Sequence, residues 1–370
     1  MKTKNSLIKN TLQTDGNKDC ITPKHGAGGT MMQHLIQNYL VKNLASDSSW
    51  KRKFNVEISL EQLDDAAVIN NTVIATDSHV VKPIFFPGGD IGRLSVSGTI
   101  NDISVMGAEP MALTFGLVLE DGFPLSDLKK ILQSMGNTCT QAGVYVVTGD
   151  TKVVEHGSLE NIMINTSGIG RRSEFLDKNI DEVKKYRKFN SRWLADSNLR
   201  EGDKIIVSGT VGDHGIAILS AQKGYDFNII SDVKPMNKVI QGILKVGGVV
   251  SIKDATRGGL GNVLHEWSEK SNMGIVVKEE KIPVKNSVKE ACEILGINPL
   301  HTANEGKIVI GCIPEKAEEI ISILHEYTEA KDAEIIGQAE KVFGNHVLIE
   351  KEHGKVILES PEGDPVPRVC

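Results

Sequence analysis

The chain has 370 residues, of which 40% are apolar and 24% charged, and its formal net charge is -6. That length suits roughly two domains with buried cores, and the mild acidity argues against a broad nucleic-acid or anionic-membrane surface. No apolar run reaches the ~18–20 residues of a membrane span, and the polar N-terminus lacks the apolar stretch of a secretory signal. Five scattered cysteines fit neither a disulfide framework nor a zinc ribbon. We therefore expect a cytoplasmic protein that binds neither nucleic acid nor membranes.

The N-terminal half alternates strand and helix patterns after a polar extension, residues 1–20. Apolar residues at helical spacing predict a helix that begins at Thr30. Further along, the patterns predict strands over 65–69, 72–76, 111–119 and 144–148, and helices over 90–106, which Gly107 ends, and from Leu125 onward. We assign these elements to a first domain, residues 21–172.

The stretch 173–201 interrupts this alternation because it is polar and rich in Lys and Arg. We predict a surface insertion or linker there, with a docking arm for a partner as the alternative. The second domain, residues 202–350, has predicted strands over 204–209, 249–252, 274–278 and 307–313, and predicted helices over 236–244, 258–267, 284–295 and 315–328. The irregular alternation favours an α+β fold over a parallel Rossmann sheet. Three prolines among the last ten residues predict that 351–370 forms a terminal strand and then a flexible tail.

Carboxylates beside glycines are the residues most able to carry chemistry, since the sequence has neither a Walker A motif nor G-x-G-x-x-G. The HGAGG loop (25–29) precedes a helix, where free N–H groups favour an anion. Aspartates close turns or strands at positions 64, 65, 77, 150 and 254. Mg²⁺ prefers such oxygen ligands, although each aspartate alone could be a cap or turn residue. Asp102 lies in an apolar helix, where only a metal or nucleotide partner would offset the cost of a buried charge.

The terminal cysteine, Cys370, is the other unusual feature. It is either an incidental exposed thiol or a nucleophile on a mobile arm that carries an acyl group between sites. The residues alone leave these two readings open. Cys139, Cys292 and Cys312 fall on apolar stretches, so we predict that they are core residues.

The motifs, taken together and in order, resemble one family. They are HGAGG (25–29), DDAAVI (64–69), TDSHVV (76–81), GTINDISVMGAEP (98–110), TGDTKVV (148–154), DATRGGL (254–260), NEGK (304–307) and the terminal PRVC (367–370). This set resembles the HypE family of hydrogenase maturation proteins, which are carbamoyl dehydratases of the PurM-like, AIR synthase-related superfamily. The resemblance spans roughly residues 20–370, and the P-R-x-C terminus is particular to that family.

The resemblance implies a PurM-like α+β fold with an N-terminal αβ domain that forms a dimeric β-barrel interface and a C-terminal αβ domain. It implies a homodimer that uses ATP and Mg²⁺. In that family, HypF places a carbamoyl group on the terminal cysteine and ATP-dependent dehydration converts it to a thiocyanate. The cyano group then passes to iron on a HypC–HypD complex, which builds the Fe(CN)2CO centre of [NiFe]-hydrogenase.

The resemblance also implies roles for individual residues. Asp65, Asp77, Asp102 and Asp254 would hold Mg²⁺–ATP. The other predicted cofactor-binding residues are His25, Gly26, Gly28, Gly29, Asn101, Gly149 and Asp150. The catalytic residues would be Cys370 as carrier thiol and Lys152 and Glu305 as groups that assist dehydration. Glu305 is the better formal base, whereas Lys152 would act as a base only if desolvation depressed its pKa, and could equally stabilise phosphate.

Two departures from the family pattern and two other functions stay open. Ala255 stands where many relatives carry Pro, and the 173–200 stretch is longer than we expect. One alternative is another PurM-like ATP-dependent enzyme such as a selenophosphate synthetase, with Cys20 close upstream of the glycine loop. The other is a non-catalytic maturation scaffold in which Cys370 binds metal, although one thiol without neighbouring ligands is a poor site.

Overall fold

The computed structural model describes residues 20–44, 48–361, 365–366 and 369–370. The predicted N-terminal extension lies outside these residues except for Cys20, which is exposed. The helices are α1 Gly29–Leu35, α2 Lys42–Leu44, α3 Ser48–Lys53, α4 Ile91–Val105, α5 Leu125–Ala142, α6 Glu174–Tyr186, α7 Asp213–Lys223, α8 Asn237–Val246, α9 Gly259–Ser271, α10 Asn286–Leu295 and α11 Ala317–His325. The strands are β1 Val56–Ile58, β2 Ala67–Ile69, β3 Thr72–His79, β4 Phe85–Phe86, β5 Gly89–Asp90, β6 Ala108–Glu120, β7 Tyr145–Val154, β8 Ile162–Arg172, β9 Lys204–Val207, β10 Val249–Asp254, β11 Gly274–Lys278, β12 Ile308–Cys312, β13 Glu334–Glu340, β14 Val347–Lys351 and β15 Gly354–Ile357.

The first large sheet has six strands in the order β1-β2-β3-β8-β6-β7, and α4 packs against its inner face. Close packing requires glycine on β8: a Cβ on Gly168 or Gly170 would lie 2.6 or 2.4 Å from side-chain atoms of Ile103. The carboxylate of Asp90 caps α4 by accepting hydrogen bonds from the backbone N–H groups of residues 92 and 93. A well-anchored, deeply packed helix therefore carries Asp102 to its position.

The second large sheet has seven strands in the order β10-β12-β9-β13-β11-β14-β15. All six residues of β10 are buried, and β10 pairs antiparallel with β12 so that Asp254 lies opposite Ile308. Burial on both faces explains the apolar runs at 205–207 in β9 and along β12. Because β10 ends at Asp254, the following DATRGG turn emerges at the edge of this core.

The segment 173–201, predicted to be a polar surface insertion or linker, is packed against the core rather than lying on the surface. This segment forms α6, whose side chains Leu176, Ile180 and Val183 are buried, and continues to Trp193, which is 2% exposed. The Trp193 indole N–H donates to Glu57 (3.1 Å), and the Arg172 guanidinium lies 4.7 Å from the ring centroid. The Lys residues of α6 lie on the outer face of this amphipathic helix. A count of residue types over the segment therefore does not reveal the narrow apolar stripe on the inner face.

The predicted helix near Thr30 forms, but it does not pack as its pattern suggests. Gly28, not Thr30, is the N-cap of α1, and the chain continues through a π-helical segment, Ile36–Val41. The apolar side chains Tyr39, Leu40 and Leu44 are exposed. Apolar periodicity thus predicts where the helix forms, but not whether the rest of the protein covers its apolar side chains.

Other predictions are confirmed. Gly107 follows the end of α4 with a φ of +83°, and Cys139, Cys292 and Cys312 are buried. Within the described parts of the chain, no helix is both long enough and apolar enough to cross a membrane.

Trp193→Ala tests whether the 173–201 segment belongs to the core. We expect a loss of about 3–5 kcal/mol in the free energy of unfolding, because a large buried ring leaves a cavity. The exposed Lys188→Ala in the same segment should change it by less than about 0.5 kcal/mol. Urea titration measures both, and equal midpoints for the two variants would restore the linker interpretation.

Candidate active site

One cleft of about 380 Å³ collects carboxylates from distant parts of the chain. Asp65 precedes β2, Asp77 lies near the end of β3, Asp102 is on α4 and Asp254 ends β10, and all four line this cleft. The structure thus brings together the four aspartates that the sequence predicts as Mg²⁺–ATP ligands. Glycine residues of the HGAGG loop and the terminal residue line the same space.

The proximity of these carboxylates perturbs their ionisation. Burial raises the pKa of Asp102 well above its usual range, and the charges of Asp254, Asp77 and Asp65 raise it further. Burial likewise raises the pKa of Asp254 to about 6. The pKa of Asp65 is also raised by burial, although the nearby Lys253 ammonium opposes the shift. Like charges held together in a poorly solvated cleft favour the neutral acid.

Asp77 differs from the other three aspartates because its pKa is lowered rather than raised. Burial pushes its pKa up, but the pairing with His79 and the charge of Arg257 outweigh burial and hold the pKa at about 2. The His79 Nε2 atom lies 3.0 Å from Asp77 Oδ2. The two side chains share a face because residues two apart on a strand point the same way. Gly98 on α4 leaves the room, since a Cβ there would lie 3.1 Å from Asp77 Oδ2.

The last residue of the chain lies in this cleft. Cys370 lines both the acidic cleft and an adjoining cavity of about 820 Å³, and Arg257 lines both as well. The negative charge of the terminal residue, followed by those of Asp77 and Glu305, raises the pKa of Arg257. The tail, predicted to be flexible, is docked in this structure: Val366 and Val369 are 1% and 3% exposed.

Glu305 is a buried carboxyl group in the same cleft. It is 3% exposed, and its backbone N–H donates to Asp232 Oδ1 at 3.0 Å. Burial, followed by the charges of Asp77, Asp254 and Asp232, raises its pKa well above the usual range, and Arg257 only partly opposes this. A carboxylate with a raised pKa is a stronger proton acceptor, which suits a general base.

Lys253 neutralises one side of the cleft. Its ammonium nitrogen lies 2.6 Å from Asp65, 3.1 Å from Asp196 and 3.1 Å from Glu266. A buried ammonium with three carboxylate partners is strongly held in its charged form, and the pKa of Lys253 is raised well above its usual value: burial would lower it, but these carboxylates outweigh burial. The Asp65 carboxylate therefore already has a cationic partner, Lys253, within the protein.

The glycine loop packs against the tail and the DATRGG turn. A Cβ on Gly29 would lie 1.9 Å from the carbonyl oxygen of Pro361, and one on Gly28 would lie 3.1 Å from backbone atoms of Arg257. The Thr30 N–H donates to the Pro361 carbonyl at 3.4 Å. The glycines thus allow the backbone of the loop to approach the backbone of the tail and of the turn closely. The Thr30 amide at the start of α1 is already hydrogen-bonded within the protein.

Several predicted site residues do not line the acidic cleft. The His25 ring bonds to Thr22, and Gly26 lines the adjoining cavity. The Asn101 amide is used within the protein, since its oxygen accepts from the Met236 N–H (2.8 Å) and its nitrogen donates to the Lys234 carbonyl (3.2 Å). The prediction that Asn101 contacts the cofactor is therefore not supported, because both ends of its side chain position backbone.

The TGDTK residues Gly149, Asp150 and Lys152 also lie elsewhere in a single chain. They are exposed on β7, the edge strand of the six-stranded sheet. A strand-end motif was expected to reach the cleft, but β7 runs parallel to β6 at the far side of the sheet from β3. These three residues can lie close to the aspartates of a cleft only if that cleft belongs to a second molecule that packs against β7.

The donor set fits a divalent cation that is bound together with phosphates. Across the described residues, no three His, Cys, Asp or Glu side chains are close enough to hold a metal ion by themselves. However, Asp254 Oδ2 is buried without a hydrogen-bond partner, and Asp102 carries the raised pKa of a crowded acid. A cation would satisfy both groups, and Mg²⁺ commonly takes one or two carboxylates and completes its shell with water and substrate phosphates.

Two residues that line the cleft, Arg257 and Lys253, and His79, which contacts Asp77, were not predicted from the sequence. Arg257 lies inside the DATRGGL motif and His79 inside TDSHVV, so both were visible but without an assigned role. Lys253 immediately precedes Asp254. Strand periodicity could have predicted that His79 lies on the same face as Asp77. Arg257 and Lys253 could have been predicted because a buried cluster of acidic residues needs cations nearby.

Comparisons with known proteins agree with this geometry. Residues 63–172 match the model of the AIR synthase related protein N-terminal domain, and residues 200–349 match that of the AIR synthase related protein C-terminal domain. The chain therefore has the two-domain, PurM-like α+β fold of AIR synthase-related proteins, as predicted. Thiamine monophosphate kinase from Aquifex aeolicus, at 17% identity and a TM-score of 0.59, shares this fold.

Nearer relatives define the family. A chain of Methanocaldococcus jannaschii named for hydrogenase expression and formation is 48% identical over 95% of this chain and 99% of its own length. Carbamoyl dehydratase HypE of Azotobacter vinelandii is 39% identical over 94% of this chain and 96% of its own. A HypE–HypF complex has a HypE chain with 41% identity and a TM-score of 0.78, covering 88% of this chain and 99% of that one. HypE solved with ATP has 35% identity and a TM-score of 0.75, covering 94% and 98%. This chain belongs to the HypE family of carbamoyl dehydratases.

Asp102→Asn tests the crowding of the carboxylates. Because the pKa of Asp102 is raised in the folded protein, the folded state binds more protons than the unfolded chain, and stability falls as pH rises above the ordinary value of ~3.9. The neutral Asn removes this loss. We expect the variant to have the higher urea midpoint at neutral pH without Mg²⁺, and the two midpoints to converge in acid.

The matched control is Asp226→Asn, an exposed carboxylate in a loop. It should leave the midpoint unchanged at both pH values. A neutral-pH midpoint for Asp102→Asn at or below that of the parent would show that Asp102 is not destabilised by its neighbours.

Proposed function

We propose that this protein dehydrates an S-carbamoyl group on Cys370 to a thiocyanate at the expense of ATP, and so supplies the cyanide ligand of the [NiFe]-hydrogenase iron. The observation that carries the proposal is the position of the last residue: Cys370 lines the same cleft as Glu305, Arg257 and the aspartates. A terminal thiol within a cleft of this kind is a carrier that brings its own substrate to the chemistry.

The chemical difficulty of the reaction explains the need for a triphosphate. A thiocarbamate does not lose water readily, because oxide and hydroxide are poor leaving groups. Transfer of a phosphoryl group to the carbamoyl oxygen converts that oxygen into phosphate, which leaves easily. The nitrogen gives up its two protons, the C–O bond breaks, and the carbon–nitrogen bond becomes a triple bond. Positioning and charge stabilisation therefore account for most of the catalysis.

The residues of the cleft divide this work. Glu305, with its raised pKa, accepts a proton from the nitrogen. Arg257 stabilises anionic oxygens beside the thiol. Asp77, Asp102 and Asp254 would hold a magnesium ion, which would supply the neutralisation of phosphate charge. Because these groups are buried, water is excluded from the phosphorylated carbamoyl group.

The delivery and removal of the one-carbon group require partners. A HypE relative has been solved in complex with HypF, which supports HypF as the carbamoyl donor for this chain. The docked tail must then leave the cleft to be loaded, because Cys370 is half-buried. We assign the cyanide acceptor to a HypC–HypD complex, and all of these steps to the cytoplasm.

A homodimer would complete the site. Ile74 and Ile169 pair across β3 and β8, and each is 40% exposed on the outer face of the six-stranded sheet. Tyr145, Val147 and Val153 on the edge strand β7 are 77%, 64% and 64% exposed. An apolar sheet face beside an open edge is suited to pairing with a second copy. Such pairing would bury β7 and carry its TGDTK residues toward the partner's cleft.

Cys370→Ala tests the carrier role. Incubation with HypF, carbamoyl phosphate and ATP should add a carbamoyl-derived mass to the parent protein and none to this variant, since the loaded sulfur is gone. Cys20→Ala, which removes an exposed thiol, should load like the parent. Intact-protein mass spectrometry reads both, and an equal mass gain on Cys370→Ala would reject the carrier.

Mixed dimers test the role of the second copy. Lys152→Ala and Glu305→Gln should each abolish dehydration when homodimeric. If Lys152 acts on the partner's cleft, one site in a mixed dimer keeps both residues, and random pairing restores about a quarter of the parent rate. The measurement is ATP-dependent conversion of the carbamoylated tail by co-expressed, differently tagged chains. No recovery in isolated mixed dimers would show that Lys152 does not act across the interface.

A further inference from the structure

A buried histidine outside the acidic cleft holds the chain terminus. His214 is the second residue of α7 and is fully buried. Its Nε2 atom lies 2.7 Å from the carbonyl oxygen of Val369, the residue immediately before the terminal cysteine. Its Nδ1 atom lies 2.7 Å from the Ser231 hydroxyl. The ring therefore joins the body of the protein to the last peptide of the tail.

The hydrogen-bond partners determine where the proton of His214 resides. A carbonyl oxygen only accepts, so Nε2 must carry the hydrogen that reaches Val369. Ser231 Oγ accepts from the Val233 N–H (3.1 Å), which leaves its own hydrogen free to donate to Nδ1. Burial lowers the pKa of His214, although the charge of Asp232 opposes this, so the neutral form with hydrogen on Nε2 is favoured. One tautomer satisfies both bonds.

The groups around His214 are fixed by the fold. The Ser231 N–H donates to the Pro87 carbonyl at 2.9 Å, and the Phe86 ring meets the imidazole edge-on at 5.4 Å. Val369 is buried in the same apolar cluster as Phe86. The imidazole thus has little freedom to turn, and its donor is aimed at one carbonyl.

We propose that His214 is the positioning residue that holds the tail in its docked state, so that the Cys370 thiol stays in the cleft, through the hydrogen bond from Nε2 to the Val369 carbonyl. The inference deepens the proposed function, because it rests on Cys370 being the carrier. When the bond is absent, the tail spends more time outside, where its thiol is open to loading but remote from Glu305.

Alkylation of the terminal thiol tests this without ATP, HypF or any turnover. His214→Phe removes the donor, and we expect iodoacetamide to modify the terminal peptide on the order of tenfold faster, the effect of leaving one buried acceptor without its donor. His214→Gln can place an amide N–H near the position of Nε2 and should restore a rate close to that of the parent. Peptide mass spectrometry measures the rate. Equal rates for His214→Phe and the parent would overturn the proposal.

Internal controls separate release of the tail from general loosening. The buried Cys292 and Cys312 should stay unmodified in every variant. Ser220→Ala, which removes the hydroxyl bond to the Tyr225 carbonyl from the same helix, should leave the Cys370 rate unchanged. If His214→Phe exposes Cys292 and Cys312, then Ser231→Ala decides: faster Cys370 modification with both buried thiols protected supports the proposal, and an unchanged rate overturns it.

A second measurement connects the tail to the chemistry. With the carbamoyl group already in place, dehydration should be slower in His214→Phe than in the parent and recover in His214→Gln, while HypF-dependent loading is not slowed. If the carrier assignment failed, no variant would load, yet the alkylation rates would still differ. Equal dehydration rates in the Phe variant and the parent would contradict a positioning role.

Discussion

The position of the last residue, Cys370, in the cleft that Arg257 also lines is the constraint on which the site depends. At the end of the chain, Val366 and Val369 join an apolar cluster, and Cys370 lines the cleft together with the carboxylates. The packing and the His214 hydrogen bond that hold the tail also place a thiol in the cleft where the proposed phosphate chemistry takes place.

This arrangement places several acidic side chains together in a buried cleft, where desolvation and mutual repulsion make them difficult to ionise. Lys253 stabilises the inner side, and His79 keeps Asp77 charged, but Asp102, Asp254 and Glu305 retain raised pKa values. This tension suits the proposed reaction. Asp102 and Asp254 are relieved when a cation and its phosphates arrive, whereas Glu305 keeps the basicity that proton removal from nitrogen requires.

Much of the site could be predicted because its residues lie in short motifs at the ends of strands. Asp65, Asp77 and Asp254 are each next to or within a strand that periodicity located, and Asp102 stood out as a charge in an apolar helix. The position of Lys152 could not be predicted, since a motif does not reveal that its strand lies at the far edge of the sheet. His214 was missed because its partner is the carbonyl of Val369, 155 residues away, and backbone acceptors leave no trace in a sequence.

The 173–201 segment shows the limit of composition. Lys and Arg residues are frequent there, yet Leu176, Ile180 and Val183 repeat at helical spacing and are buried with Trp193. The helical stretch after the glycine loop shows the opposite case, since Tyr39, Leu40 and Leu44 follow the helical pattern and are exposed. Periodicity predicts which residues share a face, whereas tertiary contacts decide whether that face is covered.

The fate of the carbamoyl oxygen tests the central claim most directly. The terminal thiol would be loaded with a carbamoyl group that carries heavy oxygen, and the purified protein would then receive ATP and Mg²⁺. The account predicts that the terminal peptide loses one water equivalent only when ATP is present and that the heavy oxygen appears in inorganic phosphate. Heavy oxygen released as water, or a carbamoyl group that survives ATP hydrolysis unchanged, would contradict it.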